Sequence, residues 1–519
     1  MTDLKKAIIA QREKGWKALT DDQKKTLLAD KRWRMNNLYY IRDKNGDKVL
    51  FKMNYVQKWL LNNLWYLNIC LKARQMGMTT FIDLYILDEC IFNKGVEAGI
   101  IAHNKEDASK IFRRKIKYPY ENLPDDIKDN IWPTTDSKTE MIFSNGSVVS
   151  VGVSLRSSTC QYLHISEHGK ICAKYPDKAE ELKSGALEAI GIGQIVFIES
   201  TAEGRGGDFY EYCVNAKRME DEGIEFTEMD FKLHFFAWWM DPTYVLPNPE
   251  RVVITADLQQ YFEDLWRQHG IELTAGQKAW YVKKAERQGD TMKREYPSTW
   301  EEAFEASIKG AYWAEQIATI RNRRQITKVP WDPALQVHTA WDLGRNDFNP
   351  IWFFQHYGNQ YRIIDFYTNN GESLAHYAGL LRRKHEDYGY VYGNHYLPHD
   401  VEVTDISADK SRKETLESLG VKSIITVKRE ASLDSMKGVE AVRAILPMCW
   451  FDKEKCAEGL NALEAFQKEW DDKLATYKNR PLHNWASDAS MAFTILARGY
   501  QPIVGFNSAD IEPEAEEAY

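Results

Sequence analysis

The sequence predicts an α/β protein with two successive sheets, the first mostly parallel and the second mixed. Three observations predict it. Up to about Pro242, short apolar runs alternate with helical or turn-rich stretches, the pattern of a helix-covered parallel sheet. From Val337 onward the runs VHTAWDLG, PIWFFQHY and YRIIDFYT follow one another closely, so they read as hairpins rather than helical crossovers. Finally, 519 residues that are 44% hydrophobic and include 17 Trp can fill more than one core.

In chain order, the strand candidates of the first block are NICLKA, AGIIAH, SVVSVGVS, YLHIS and GQIVFIES. A charged helical stretch follows, from Asp257 through AGQKAWYVKKAERQGDTMKREYPSTWEEAF. The second block opens with its three strands, then continues through a helix, the strand-like YVYGNHYLPHD and later helices. These signals divide the chain into a helical extension (1–50), a first α/β domain (51–245), a linker or lid (246–310), a second α/β domain (311–500) and a tail (501–519). The tail carries acids without bases, a composition that predicts disorder.

Seven cysteines are scattered without any CxxC pair, so neither a disulfide framework nor a zinc ribbon is expected and a reducing compartment fits. No run of about eighteen uncharged apolar residues occurs, and MTDLKKAIIA lacks the apolar core of a signal peptide; the expectation is a soluble cytoplasmic protein without membrane contact. The formal charge of −8 argues against a protein that simply coats nucleic acid, although IFRRKIK, IRNRRQITK and LLRRKHE are locally basic. Such runs serve equally as solvated helix faces.

The stretch LKARQMGMTT lies between a strand and a helix, as a phosphate-binding loop does. A standard loop reads GxxxxGK followed by Ser or Thr: backbone amides and a helix N-terminus surround the phosphates, the lysine neutralises them and the hydroxyl reaches magnesium. Aligned on Gly77, Met78 stands in the lysine's place. Thr79 occupies the hydroxyl position, Gln75, Gly77 and Thr80 belong to the same nucleotide-binding stretch, and Lys72 and Arg74 stand at the loop's entrance, where a long cation can fold back onto the phosphates. A strand, a glycine and a Thr helix cap would produce the same letters. YLHISEHGK is an apolar strand ending in Ser166 and Glu167, where an ATPase of this kind places a magnesium-ordering residue and the carboxylate that activates water. ESTAEG brings Ser200 and Thr201 to a further strand end, as a γ-phosphate sensor would. Upstream, Gln57 offers an amide able to read an adenine edge. Each of these also has an ordinary reading, as a solvated strand end, a Gly-rich turn or a surface glutamine.

Together, LKARQMGMTT, LHISEHGK, ESTAEG and YPSTWEEAF, followed by the second block, resemble the large terminase subunit of tailed bacteriophages over roughly Tyr55 to Tyr500. The resemblance implies an ASCE-type P-loop ATPase domain followed by a ribonuclease H-like nuclease domain. It implies Lys72, helped by Arg74, as the displaced phosphate-loop cation. It also suggests Arg156, shortly before the second ATPase motif, as an arginine finger on a neighbouring subunit's nucleotide, with Arg113, Arg114 and Arg205 as competitors. Met78 and Ser166 depart from the usual pattern.

In VHTAWDLGRNDFNP, strand alternation puts His338, Ala340 and Asp342 on one face. Asp400 ends YGNHYLPHD, and Asp488 begins a helix whose Ala489, Ala492, Phe493 and Leu496 form an apolar stripe. Three carboxylates at one sheet edge repel unless cations bind; two Mg2+ or Mn2+ ions about 3.5–4 Å apart would make them a phosphodiester-cleaving site. Each Asp alone also suits turn or N-cap duty. The resemblance carries Asp342, Asp400 and Asp488 over as metal ligands, with Asp347 and His483 as lesser candidates. The expectation is therefore a packaging motor: ATP-driven movement of double-stranded DNA into a procapsid and metal-dependent cutting of concatemeric genome. Its cofactors would be ATP and Mg2+, its partners a small terminase subunit, a portal protein and copies of itself in a ring, a pentamer on the portal, and its place the host cytoplasm. A helicase-nuclease with the same ATPase core and a scaffold with a dead phosphate loop are the alternatives; strand separation and nucleotide turnover distinguish them.

Overall fold

The computed structural model describes residues 14–154, 160–305, 310–343, 348–403, 410–428, 434–471 and 476–500. The chain forms two compact units, Met1–Ser307 and Ile308–Tyr519.

The first unit begins with a helical segment and a hairpin of β1 (Tyr40–Arg42) and β2 (Lys48–Leu50), followed by helix α1 (Tyr55–Asn62). Next come β3 (Leu67–Lys72), helix α2 (Met78–Phe92), β4 (Glu97–Ile101), β5 (Pro133–Asp136), β6 (Glu140–Phe143), β7 (Val148–Gly152) and β8 (Tyr162–Ser166). Helix α3 (His168–Lys174), β9 (Ile195–Ser200), helix α4 (Asp208–Asp221) and β10 (Phe231–Phe236) complete the sheet region. The strands lie in the order β10-β3-β9-β8-β4-β7-β6-β5. Neighbours from β10 to β7 are parallel, and only the pairs β7–β6 and β6–β5 are antiparallel. Counted from β3, the five strands from β10 to β4 run 5-1-4-3-2, so β3 sits beside β9 with β8 next to it.

Position in the sheet explains composition. Strand β3 is buried along nearly its whole length, as a strand covered on both faces must be. Helix α2 is hydrophobic all round because Phe81, Leu84, Ile86 and Leu87 all lie within the core. Residues 246–310 belong to this first unit up to its boundary. Helices α5 (Ala256–His269) and α6 (Ala275–Gln288) are capped by Thr255 and Thr274, and their Phe262, Leu265, Tyr281 and Val282 share one hydrophobic cluster with α2. Ala303 and Phe304 pack on the opposite side of the sheet, with Ile198 and Phe209.

In the second unit, β11 (Ile326–Thr327), β12 (Val337–Trp341), β13 (Ile351–Tyr357) and β14 (Gln360–Tyr367) precede helix α7 (Leu374–Tyr388). They are followed by β15 (Tyr392–Pro398), β16 (Ile424–Val427), β17 (Cys449–Asp452), the β18–β19 hairpin (Lys468–Asp471, Thr476–Pro481) and helix α8 (Ser487–Gly499). The sheet order is β11-β17-β14-β13-β12-β15-β16. Strands β12, β13 and β14 form the expected antiparallel meander, whereas β15 is parallel to β12 and β16 to β15. Counted from β12 this is a 3-2-1-4-5 sheet extended by β17 and β11, the ribonuclease H-like order. Alternation along β13 covers both faces: Trp352 and Phe354 meet α8, and Ile351 and Phe353 meet α7.

Candidate active sites

The phosphate-loop candidate is clamped from outside by α1. Asn54 caps α1 and forms a reciprocal box with Gln57. The same two side chains reach the loop: Asn54 Nδ2 donates to the Met76 carbonyl at 3.0 Å, and Gln57 Nε2 donates to the Gly77 carbonyl at 2.8 Å. Gln57 is buried and its Oε1 accepts from the Asn54 N–H at 2.9 Å. Both ends of its amide are thus engaged within the protein, where the side chain ties α1 to the loop. Gly77 caps α2 with a left-handed φ of 73°, and a Cβ there would meet Gln57 Nε2 at 2.8 Å. Only glycine fits this turn.

Sheet register brings the other motifs to the same edge. Leu71 pairs with Ser200, and Ser166 pairs with Glu199, so Lys72, Glu167 and Ser200 stand at the carboxyl ends of adjacent parallel strands, where open α/β sheets bind ligands. The centre of the arrangement is Glu199, a fully buried carboxylate that motif reading passed over. It accepts from Thr79 Oγ1 at 2.6 Å and from Ser166 Oγ at 2.8 Å, and it pairs with Lys72 Nζ at 2.9 Å. Lys72 also reaches Glu167 Oε1 at 3.3 Å. Burial alone would lower the Lys72 pKa, but Glu167 and then Glu199 outweigh it and the value is raised. Burial would raise that of Glu199; Lys72 and His164 hold it well below the carboxylate range instead. His164 Nε2 stands 3.7 Å from Glu199 and its Nδ1 2.8 Å from the buried Asp83. Burial pulls the imidazole pKa down, Asp83 and Glu199 together push it up by more, and it comes to about 9. The edge therefore carries a chain of alternating charge: Asp83, His164, Glu199, Lys72, Glu167.

Glu167 takes a left-handed φ of 57° between β8 and α3. Such a conformation costs a non-glycine residue roughly 1–3 kcal/mol, and here it turns the carboxylate back toward Lys72. Met78, at the standard lysine position, is 1% exposed inside the core and presents nothing to the loop. Arg74 is ion-paired with Glu295; Arg294, on the same short helix, bridges Glu295 at 2.9 Å and Glu203 at 3.2 Å. Gln75, also left-handed at 62°, accepts from Lys44 Nζ at 3.2 Å. Thr80 lines a cavity of about 1140 Å3 together with Lys44, Arg113, Arg114 and Lys115. Ser200 and Thr201 are buried, and Gly169 of α3 packs so closely on them that a Cβ would lie 2.9 Å from the Thr201 carbonyl oxygen. Arg205 stands 3.9 Å from Glu305. Arg156 and Asp347 lie outside the described residues.

In the second unit, Asp342 directly follows β12, and Asp400 lies in the 3-10 turn His399–Glu402 that follows β15. These strands are parallel neighbours, with Ala340 opposite Tyr396, so both Asp residues stand at one end of the sheet. Asp488 arrives from α8. The Ala489 carbonyl beside it accepts from Trp352 Nε1 at 2.8 Å, and Trp352 pairs with Ala340, which sets the first turn of α8 over the end of β12 that carries Asp342. The three aspartates share an edge without being drawn tightly together: among the described residues, no group of three containing them has its donor atoms within 4.8 Å of one another. Asp342 and Asp488 are half-buried; Asp400 and His483 are exposed. No helix among the described residues is long and apolar enough to cross a membrane.

No family model and no curated protein matches the sequence. Solved structures do match. The large terminase of bacteriophage HK97 is 10% identical, with 90% of this chain and 98% of that chain covered and a TM-score of 0.44. The large terminase ATPase domain of Thermus phage P74-26 is 16% identical over 47% of this chain and 93% of its own, with a TM-score of 0.31. The large terminase nuclease of the thermophilic phage G20c is 14% identical over 37% of this chain and all (100%) of its own, with a TM-score of 0.27.

Proposed function

We propose that this chain is the large subunit of a viral DNA-packaging terminase, coupling ATP hydrolysis to translocation of double-stranded DNA and cutting that DNA at a second, metal-dependent site. The observation that carries the reading is the convergence of Lys72, Thr79, Ser166, Glu167 and Glu199 on one sheet edge at the N-terminus of α2. That edge offers each part a phosphoryl transfer needs. The first amides of α2 and the loop amides would bind the phosphates of ATP. Lys72, charged and already fixed between two carboxylates, would turn to the β and γ phosphates. Glu167 would accept the proton of the attacking water. Thr79 and Ser166 would help hold Mg2+, which supplies neutralisation of phosphate charge when bound. In this scheme Glu199 keeps cation and hydroxyls in register and releases them to the nucleotide, and the pairs from Arg74 and Arg294 to Glu295 and Glu203 carry the loop's state to the segment before YPSTWEEAF.

Asp342, Asp400 and Asp488 would hold Mg2+ or Mn2+ at the second sheet's edge, supplying an activated water and support for the leaving oxygen. DNA contacts would fall mainly on phosphates, because a motor must pass every sequence. A small terminase subunit choosing the site, a portal protein, a pentameric ring completed by Arg156 acting across subunits, and the host cytoplasm as the place of action belong to the same proposal. The test is protection of DNA from added nuclease in the presence of empty procapsids. Protection that requires ATP and disappears with Glu167→Gln is expected; equal protection without ATP would overturn the motor reading.

A further inference from the structure

We propose that His168, Cys172 and Asp208 form a site for one thiophilic divalent cation of the zinc class, separate from the magnesium positions above. This inference does not depend on the packaging reading. The three are the one group of His, Cys, Asp or Glu among the described residues whose donor atoms all lie within 4.8 Å of one another. His168 and Cys172 stand one turn apart on α3 and so share a helix face. Asp208 opens α4, and Phe209 beside it sets its ring edge-on to His168 at 6.3 Å between centroids.

The spacing suits a metal. Cys172 Sγ and His168 Nε2 are 3.6 Å apart. Zinc bound to sulfur at about 2.3 Å and to nitrogen at about 2.0–2.1 Å, with a tetrahedral angle between them, would set those two atoms about 3.6 Å apart. The approach of the α4 segment to Cys172 is specifically allowed: Gly207 has a left-handed φ of 75°, and a Cβ there would already stand 3.0 Å from Cys172 Cβ. His168 is 1% exposed and Cys172 5%, whereas the Asp208 side chain is 13% exposed. The group therefore opens to solvent on the Asp208 side, where water can serve as fourth ligand. Lys183 donates to Asp208 Oδ1 at 2.8 Å, orienting the carboxylate from outside as outer-shell partners do.

Charge and softness favour the same ion. On binding, the Cys172 thiol proton leaves to solvent, the resulting thiolate and the Asp208 carboxylate offset the dication, and the Lys183 ammonium paired with Asp208 keeps its own charge exposed to solvent. A thiolate with an imidazole selects zinc over magnesium. The bound ion would tie α3, whose N-terminal residue directly follows Glu167, to α4, and so hold the turn that carries Glu167.

The test uses the full-length chain, stripped with a chelator and titrated with Co2+ and then Zn2+. We expect a thiolate-to-cobalt charge-transfer band that saturates at one equivalent per chain, whatever further Co2+ the aspartates of the second unit take up, and that Zn2+ displaces. Cys172→Ser should abolish that band and weaken Zn2+ binding by at least about 100-fold, beyond what loss of an outer-shell partner costs. Thermal melting keeps the test decisive if the variant folds poorly: Zn2+ should raise the melting temperature of the parent chain and leave Asp208→Asn unmoved. Absence of the band in the parent chain, or its persistence in Cys172→Ser, overturns the proposal.

Discussion

Lys72 carries its charge inside the protein because Glu167 and Glu199 surround it. Only a cation can offset the charge that develops on a transferred phosphoryl group, so Lys72→Ala should lower ATP turnover by at least about 100-fold. Met78→Ala should leave turnover per folded molecule nearly unchanged while costing about 2–5 kcal/mol in stability, because it empties a core position; urea melts and steady-state rates on the same preparations separate the two effects. Glu167→Gln should still bind ATP and lose turnover by about 10²–10⁴-fold, since an amide preserves shape without accepting a proton. His164 supplies a pH dependence. Its pKa rises from an ordinary 6.5 to about 9 in the folded chain, so the stability it contributes is complete below pH 6.5 and is lost as pH rises through about 9. The urea midpoint of the first unit should fall across that window, and Asp83→Asn should flatten the fall; an unchanged slope would count against a charged His164.

At the scale of elements, the loop between β3 and α2 is shaped by its neighbours more than by its own letters. Helix α1 donates two side-chain hydrogen bonds to loop carbonyls, and the β8–α3 turn holds Glu167 in a strained conformation. Gly77→Ala meets both a positive φ and Gln57. It should destabilise the first unit by roughly 1–3 kcal/mol and weaken ATP binding, as isothermal titration would read. Gln57→Ala should weaken ATP binding in the same way, because the Gly77 carbonyl loses its side-chain donor and keeps only the Phe81 N–H. Weakened binding of other nucleotides to the same degree would fit a loop-holding role; a loss confined to adenine nucleotides would instead restore Gln57 to the base.

For the whole molecule, two units with separate cores mean that one chemistry can fail without the other. Asp342→Ala, Asp400→Ala and Asp488→Ala should each abolish plasmid cleavage in Mg2+ or Mn2+ and leave ATP turnover within about twofold, since they belong to the second unit, which has its own core. A chain beginning at Ile308 should retain metal-dependent cleavage with little sequence preference. Cleavage surviving all three substitutions would remove the nuclease assignment while leaving the ATPase assignment standing.

Local pattern alone determined much of this protein. The strands from NICLKA to GQIVFIES and the meander from Val337 appear where apolar runs and close spacing put them, and the stripe of Ala489, Ala492, Phe493 and Leu496 is the buried face of α8. These features repeat over a few residues, so backbone geometry exposes them directly. What only the tertiary structure decided depends on partners far away in the chain. Glu199 became the centre of the first site through Thr79, 120 residues earlier; as letters it was one acid at the end of an apolar strand. The amide of Gln57 turned to Gly77, a choice made by the packing of α1 against the loop. Residues after Val245, read as a connector or small lid, supply Phe262, Leu265 and Tyr281 to the first core, and the His168, Cys172 and Asp208 group depends on the close approach of α4 to α3 at Gly207. Burial, charge pairing and close approach are set by which elements become neighbours, and local periodicity carries no record of that.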